Sequence, residues 1–380
     1  MKILLVDDEA RVLEGLERLL FERDDWEITT AISGADAIEL LECSRFDVLV
    51  SDMRMPGMDG AELLGIARDR FPAVVRIVLS GQADDVAALR AARVAHQFLS
   101  KPCSADVFIP VVERTMALQR YIGDEVIRGA LGRVEALPSV PRIYAQLSTA
   151  LDDDRPAEEI AGIIRQDPAI AAKLLQLVNS SFFVRGRAIA DIQTAVVRLG
   201  VKVIRDLALT VAIFGRARQA LPSCIPIDDM QKQALLAAQL AQKLVAPALA
   251  PSAFMAGLLH DVGLLALADA APTRLCSVHV ESCVRRCHAS EDERAVMGRG
   301  HAEIGAYMLG VWGLPLDIVE AVAHHLSPDR ITGPGMTVPA AVYIASTLIA
   351  RGELDSALLG RLGLESCVQA YRALAEQVTS

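Results

Sequence analysis

An apolar run that ends in an acidic residue constrains the fold of this chain more than any other feature. Residues 47–60 read DVLVSDMRMPGMDG, in which three apolar residues precede Ser51 and Asp52 and a loop rich in Pro and Gly follows. This composition is typical of a strand buried on both faces of a parallel sheet. Open α/β sheets bind ligands at the carboxyl ends of their strands, which makes Asp52 a candidate site residue. An isolated aspartate could instead cap the next helix.

Strand and helix patterns alternate over about the first 120 residues. Short apolar runs predict strands, and stretches with apolar residues at helical spacing follow each of them. Five such pairs predict a doubly wound, five-stranded parallel sheet of the α/β class. The predicted strands are residues 3–6, 26–31, 48–50, 74–79 and 96–99, and predicted helices include 34–42, 61–70, 84–93 and one from 104.

This alternation brings acidic residues together. Asp7, Asp8 and Asp52 follow two strands that are expected to be neighbours, about 4.8 Å apart. Carboxylates so close repel one another unless a divalent cation neutralises them, and oxygen ligands suit Mg²⁺. Ser80 and Lys101 end two further strands and could bind an added phosphate. The pattern therefore predicts covalent phosphorylation of Asp52; solvated acids beside a surface lysine would not place five suitable residues at one edge.

With these motifs in place, residues 1–120 resemble the receiver domain of two-component response regulators. The resemblance rests on Asp7-Asp8, on Asp52 with the MPGMDG loop, on Ser80, and on Lys101-Pro102. It implies that Asp52 accepts a phosphoryl group from a sensor histidine kinase. It also implies that Asp8 and Asp52 ligate Mg²⁺ directly, that Asp7 acts through water, and that Arg54 supplies a backbone carbonyl.

The resemblance further implies a switch that reports phosphorylation. Ser80 would follow the phosphate, and the aromatic side chain three residues before Lys101, Phe98, would turn inward. A phenylalanine has no hydroxyl to report its orientation, so Phe98 is equally well explained as core filler.

The chain changes character after a linker. Residues 121–136 are interpreted as a partly helical linker, which would transmit a change mechanically if it is one continuous helix and would act as a tether if it is flexible. From residue 137 onward, helical patterns follow one another without strand patterns, which predicts an all-α domain over 137–350. Residues 351–380 are expected to form a helical extension packed on that domain.

Histidines are the residues of this second half with the most distinctive chemistry. His260-Asp261 lies within an apolar helical stretch, and His301 and the pair His324-His325 follow. Imidazoles with a carboxylate can bind a transition metal and activate water for phosphodiester hydrolysis. Buried imidazoles satisfied by backbone carbonyls are the plainer explanation, and spacing alone favours it.

Residues 131–350 resemble the HDOD domain, a relative of the HD superfamily of metal-dependent phosphohydrolases. The matching segments include FMAGLLHDVGLL (254–265) and GRGHAEIGAYMLGVWGLP (298–315). Two positions depart from the catalytic pattern of the superfamily: Gln233 stands where its first histidine is expected, and Ser346 where its last aspartate is expected. Losing an imidazole and a carboxylate leaves too few ligands for two metals. We therefore expect a structural cluster, with at most one weakly bound transition metal and no hydrolytic activity.

Composition narrows the partners and the compartment. With 48 acidic and 38 basic residues, the formal net charge of −10 argues against nonspecific nucleic-acid binding and against anionic membranes. No apolar run is expected to reach transmembrane length, and seven scattered cysteines suit a reducing cytoplasm better than a disulfide framework.

The sequence thus predicts a cytoplasmic response regulator whose HDOD domain acts through protein–protein contacts. Its expected partners are a histidine kinase, an unknown downstream protein and, in a homodimer, a second copy of the chain. The alternative is a receiver-regulated phosphodiesterase for a cyclic dinucleotide or another nucleotide. A DNA-binding transcription factor is disfavoured because no basic recognition helix is evident.

Overall fold

The chain divides into two compact units, one built mainly from residues 1–135 and the other mainly from residues 136–380. A computed structural model describes ten stretches of the chain. They are residues 1–21, 25–81, 94–121, 129, 131–132, 141–179, 188–200, 203–204, 227–282 and 289–379.

The first unit contains a five-stranded parallel sheet in the order β2-β1-β3-β4-β5. Helices follow the strands along the chain, so the predicted doubly wound fold is confirmed. The predicted helix 84–93 lies outside the described residues. The strands are β1 (Lys2–Val6), β2 (Glu27–Ala31), β3 (Val48–Asp52), β4 (Val75–Ser80) and β5 (Gln97–Ser100), and the helices are α1 (Ala10–Leu20), α2 (Gly34–Cys43), α3 (Gly60–Arg70) and α4 (Ala105–Tyr121).

The sheet is buried on both faces, as continuous apolar runs require. Every residue of β3 and β4 is buried. One core cluster joins alternate residues of the strands to α1 and α4, including Val75, Ile77 and Leu79 of β4 and Phe108 of α4. Because side chains alternate along a strand, the residues between them face the other side of the sheet.

The second unit is helical over its described residues, which confirms the predicted all-α class. Residues 192–200 are also helical. The remaining α-helices are α5 (Pro141–Asp152), α6 (Ala157–Ile164), α7 (Pro168–Val178), α8 (Ile227–Leu244), α9 (Ala250–Leu259), α10 (Val262–Ala270), α11 (Pro272–Ser282), α12 (Ala289–Met297), α13 (His301–Val311), α14 (Leu316–His324), α15 (Val338–Ile349), α16 (Ser356–Leu362) and α17 (Val368–Thr379).

The apolar helical stretch in which His260-Asp261 was expected to lie is not one continuous helix but is broken into α9 and α10. His260 ends α9 with helical dihedral angles, and Asp261, with φ −98° and ψ 10°, begins α10. Close packing of α10 on α13 accompanies the break. A Cβ atom placed on Gly263 would lie 1.9 Å from the carbonyl oxygen of His301, so only glycine fits at this crossing.

The C-terminal helices α16 and α17 share a core cluster with α15. Leu358, Leu362 and Tyr371 pack with Tyr343 and Ile344 of α15. The hydroxyl of Tyr343 accepts a hydrogen bond from the backbone N–H of Asp355, which is the N-cap of α16. The extension is therefore held by apolar contacts and by a buried phenol.

Two expectations drawn from composition need correction. Residues Ala250–Ala268 are long and apolar enough to cross a membrane, although 72% of that window is buried inside the protein, as in the core helices of globular domains. Cys276 is disulfide-bonded, which the scattered cysteines did not predict. Among the described cysteines, Cys43, Cys103 and Cys367 are free thiols.

We expect Gly263→Ala to destabilise the helical unit by roughly 1–3 kcal/mol, the usual cost of forcing extra atoms into a packed core. The matched control is Gly162→Ala in α6, where a Cβ would meet nothing within 4 Å and the better helix propensity of alanine should leave stability equal or slightly higher. Calorimetry of the full chain measures both. Equal transition temperatures for the two variants would show that the α10–α13 crossing tolerates a side chain.

Candidate functional site

Parallel pairing brings the carboxyl ends of four strands to one edge of the sheet. The register pairs Val6 with Ser51, so Asp7 follows β1 beside Asp52 at the end of β3. The next pairs place Asp52 beside Leu79 and Ser80 beside Ser100. The predicted site residues of the first unit are therefore neighbours because of topology, although they are far apart in the sequence.

Lys101 joins two of these carboxylates. Its Nζ lies 2.5 Å from Oδ2 of Asp7 and also forms an ion pair with Oδ1 of Asp52. Asp7 and Asp52 are both buried, and a buried carboxylate needs such a partner. Burial alone would lower the pKa of the Lys101 amine, but the hydrogen bonds to Asp52 and Asp7 outweigh it and raise that pKa. Lys101 is therefore a cation at neutral pH.

Backbone amides complete the surroundings of the two carboxylates. The N–H of Arg54 donates to Oδ2 of Asp52 over 2.7 Å, and the N–H of Glu9 donates to Oδ1 of Asp7 over 3.0 Å. Asp8 is exposed at the same edge. Three carboxylates against the one amine of Lys101 leave an excess of two negative charges, and oxygen donors of this kind suit a divalent cation such as Mg²⁺.

Ser80 and Phe98 lie beside this acidic edge. The Ser80 hydroxyl donates to the carbonyl of Gly81 over 3.3 Å, while Phe98 is only 3% exposed. The register pairs Phe98 with Val78, two residues before Ser80 on the same face of the sheet. The roles expected of Ser80 and Phe98 in a switch stay predictions. The Lys101–Pro102 peptide bond is cis.

The loop after Asp52 is fixed by glycine and by a helix cap. Gly57 has φ +81°, and a Cβ on Gly60 would lie 2.1 Å from the carbonyl oxygen of Asp52. The side chain of Asp59 caps α3 in a reciprocal capping box with Glu62. Asp59, rather than Asp52, therefore serves as the helix cap, which leaves the Asp52 carboxylate for other partners.

A second constellation surrounds Asp261 in the helical unit. Three imidazoles direct Nε2 at its carboxylate: His260 lies 3.2 Å from Oδ2, and His301 and His325 lie 3.3 Å and 3.4 Å from Oδ1. The three rings are buried. His325 contacts the other two rings, with centroid separations of 5.0 Å to His260 and 5.5 Å to His301. We call His260, Asp261, His301 and His325 the imidazole cluster.

The opposite nitrogen of each ring is held by an acceptor. Nδ1 of His260 lies 2.7 Å from the carbonyl of Gly257, and Nδ1 of His325 lies 2.8 Å from the carbonyl of Val322. A carbonyl only accepts, so Nδ1 carries the proton in both rings. Their neutral forms therefore present the lone pair of Nε2 to a carboxylate, an arrangement that needs a proton or a cation between them. In the described part of the chain, Nε2 of His325 is indeed buried without a hydrogen-bond partner.

His301 has a carboxylate on each side. Its Nδ1 lies 2.7 Å from Oε2 of Glu293, which is fully buried. Burial alone would lower the pKa of His301, but the charge of Glu293 and the hydrogen bonds to Asp261 and Glu293 raise it to about 10. Burial would likewise raise the pKa of Asp261, but the charge of His260 and hydrogen bonds from the cluster hold it well below its usual value. Burial lowers the pKa of His325.

The structure leaves one predicted member out of the cluster and adds another residue. His324 makes none of these contacts; its Nδ1 is buried without a hydrogen-bond partner, and burial and the charge of Arg330 lower its pKa. Glu293 was missed because it lies on a different helix, eight residues before His301, and no spacing rule points to it. The contact between Arg76 and His96 of the first unit was also missed, because no spacing rule in the sequence points to it.

The two departures from the catalytic pattern are located on α8 and α15. Gln233 is exposed, so it offers no oxygen to the buried imidazole cluster. The buried glutamine of this helix is Gln231, whose Nε2 lacks a hydrogen-bond partner. Ser346 donates its hydroxyl to the carbonyl of Tyr343 in its own helix.

Comparison with known families assigns both units. The HDOD domain family matches residues 137–328, and the response regulator receiver domain matches residues 3–113. The chain belongs to the HDOD domain family. Its first unit is a response regulator receiver domain, and receiver domains use Mg²⁺ for phosphorylation by a histidine kinase.

Several known proteins resemble parts of this response regulator. The crystal structure of the MmoQ response regulator from Methylococcus capsulatus is 26% identical with a TM-score of 0.51, covering 63% of this chain and 99% of that one. An uncharacterised protein of Treponema pallidum is 28% identical over 58% of this chain and 45% of its own length. The DNA-binding transcriptional regulator NtrC of Escherichia coli is 33% identical over 38% of this chain and 33% of its own length. The chain thus spans less than half of each of these two curated relatives.

The imidazole cluster predicts a loss of stability in alkali. A folded pKa of about 10 for His301, against about 6.5 when unfolded, gives stability that is complete below pH 6.5 and is lost as pH rises toward 10. We expect this loss in chelator-treated protein followed by thermal unfolding, and we expect His301→Asn to abolish it.

The matched control is His324→Asn, which removes a histidine that makes none of the cluster contacts and should keep the alkaline loss. An unchanged pH profile in His301→Asn would mean that no proton resides on the ring of His301 in the native state.

Proposed function

We propose that this protein is a phosphorylation-controlled response regulator whose HDOD domain acts by binding another protein and is not a hydrolase. The observation that supports the first step is the arrangement of Lys101 between Asp7 and Asp52 at the carboxyl edge of a parallel sheet. A charged lysine beside a carboxylate that also accepts the N–H of Arg54 is suited to bind an oxygen-rich group added at that position.

The proposed reaction is phosphoryl transfer from a phosphohistidine of a sensor kinase to Asp52. A carboxylate oxygen of Asp52 attacks phosphorus, the P–N bond breaks with its electron pair on the histidine nitrogen, and an acyl phosphate forms. Lys101 pairs with the phosphoryl oxygens, and its link to Asp7 keeps it at the edge. Asp7, Asp8, Asp52 and the carbonyl of Arg54 would hold Mg²⁺, which supplies positive charge to the transferring group.

The output is proposed to follow from the face of the sheet that holds Ser80 and Phe98. Among the described residues, the Ser80 hydroxyl has only a long hydrogen bond to Gly81, so it is available to turn toward a phosphoryl oxygen. Phe98 would fill the space next to it. The resulting change alters either dimerisation or exposure of a protein-binding surface on the HDOD domain.

The non-catalytic assignment of the HDOD domain follows from its donor set. The cluster has one carboxylate for three imidazoles, whereas a pair of metal ions needs several anionic ligands to offset their mutual repulsion. Neither Gln233 nor Ser346 supplies a further ligand. The charges of Glu293 and Asp261 instead favour a protonated His301, and a protonated imidazole cannot bind a metal.

Asp52→Asn should abolish phosphorylation by a small phosphodonor, because the amide cannot act as the nucleophile. Intact-mass spectrometry of the full chain with acetyl phosphate and Mg²⁺ detects the added phosphoryl group. Asp36→Asn is the matched control, since Asp36 is an exposed acid in the first turn of α2. Equal labelling of Asp52→Asn and wild type would exclude Asp52 as the acceptor.

The second candidate is a receiver-regulated, metal-dependent phosphodiesterase acting on a nucleotide. The observation in its favour is that ligand atoms of His260, Asp261 and His325 lie within 4.8 Å of one another. The Nδ1–carbonyl hydrogen bonds of His260 and His325 match the way metal-binding histidines are oriented by a second acceptor. A metal held there would polarise water and phosphate.

Metal content separates the two candidates. The leading proposal predicts well under one equivalent of Fe, Mn or Zn in the purified full chain by elemental mass spectrometry. A full equivalent that is lost in Asp261→Asn and kept in the control Asp317→Asn, whose aspartate lies in the first turn of α14, would favour the hydrolase.

A further inference from the structure

Among the described residues of the receiver domain, Arg76 is the largest fully buried side chain. It lies in β4, four residues before Ser80, and is only 2% exposed. A charged group is expensive to bury unless acceptors surround it. The hydrogen bonds of Arg76 therefore identify the segments of the chain that it connects.

Backbone carbonyls from three parts of the receiver unit accept hydrogen bonds from the side chain of Arg76. Nε donates to the carbonyl of Val94 over 2.7 Å, Nη1 to that of Val74 over 3.3 Å, and Nη2 to that of Gly132 over 2.6 Å. The backbone N–H of Arg76 donates to Nδ1 of His96 over 3.0 Å, and the N–H of His96 donates back to the carbonyl of Arg76. Arg76 thus connects the amino ends of β4 and β5 to the segment that follows the receiver.

That segment is closely packed where Arg76 binds it. Leu131 is 5% exposed and Gly132 is buried. A Cβ on Gly132 would lie 1.8 Å from the backbone oxygen of Pro72, whereas one on Gly129 would lie 3.8 Å from the side chain of Pro72. The described part of the linker is therefore in contact with the receiver, at the amino end of β4, opposite the phosphorylation edge.

One row of side chains connects this contact to the switch residues. Side chains alternate along a strand, so Arg76 and Ser80 face the same side of β4. The register places Phe98 beside Val78, between them, and His96 beside Arg76. Steps of two residues span about 6.6 Å, so the row runs from Ser80 past Phe98 to His96 and Arg76 without leaving one face.

We propose that Arg76 and His96 form a receiver surface that docks the chain's own linker at residues 131–132, and that phosphorylation of Asp52 loosens this docking through Ser80 and Phe98. The coupling rests on the proposed function. When Ser80 turns toward a phosphoryl group, Phe98 follows it toward the carboxyl edge. Packing around His96 and Arg76 then relaxes, and the carbonyl of Gly132 loses its donor.

Hydrogen exchange of the full-length protein tests both parts. Gly132→Ala should speed exchange of the amides in residues 129–132 by about tenfold or more, because opening a segment removes the protection of its buried contacts. Gly129→Ala is the matched control: the same substitution three residues earlier has ordinary space and should leave exchange within about twofold of wild type. Neither variant changes the receiver core, whereas Arg76→Met could unfold it.

Phosphorylation is tested on wild type treated with acetyl phosphate and Mg²⁺, with labelling verified by intact mass. We expect exchange of 129–132 to rise by about threefold or more only in labelled protein. Equal exchange in Gly132→Ala and Gly129→Ala would overturn the docking surface. Labelled protein with unchanged linker exchange would overturn the coupling. Absence of any label would refute the proposed function and the coupling with it, while the comparison of the two glycine variants would still decide the docking.

Discussion

The ammonium group of Lys101 lies between two buried carboxylates, and the receiver site depends on that contact. Asp7 and Asp52 end neighbouring strands, and without a cation their charges would repel one another inside the protein. The lysine that supplies the charge ends β5, at the far side of the sheet order. The side chain of Lys101 therefore connects three strand ends. The site keeps an excess of negative charge, which a divalent metal ion would neutralise.

The imidazole cluster must also compensate the charge of a carboxylate, and it does so with histidines instead of a lysine. Here one carboxylate meets three Nε2 atoms, and the hydrogen bonds on Nδ1 decide which atoms can carry protons. His301 has a second carboxylate, Glu293, which makes its protonated form favourable. A cluster whose charges are satisfied internally by protons has little need of a metal, and this is the physical basis of our proposal that the HDOD domain acts by binding rather than by hydrolysis.

The neighbours at the receiver edge could be predicted from the sequence because Asp7, Asp52, Ser80 and Lys101 lie at strand ends or directly after them. Parallel topology then determines which ends meet, so positions in the sequence translate into neighbours in space. The imidazole cluster could be predicted only in part, because helices offer no such rule. His324 and His325 are equivalent by type, but only the ring of His325 reaches Asp261. On α8, Gln231 is buried and Gln233 is exposed, a difference that the sequence does not reveal. Contacts such as Glu293 with His301 or Arg76 with Gly132 depend on the packing of distant elements and leave no local pattern.

The break between α9 and α10 explains how two consecutive residues, His260 and Asp261, can both belong to the imidazole cluster. On an uninterrupted α-helix, consecutive side chains point about 100° apart, so neighbouring residues cannot both reach the same point. Asp261 leaves the helical path, and its carboxylate can therefore turn back to the ring of the residue before it. The interruption of the backbone, rather than the identity of the two residues alone, makes a histidine–aspartate pair usable in this fold. A chain that kept the histidine–aspartate pair in a continuous helix would have the same sequence motif, but its two side chains could not meet at one point.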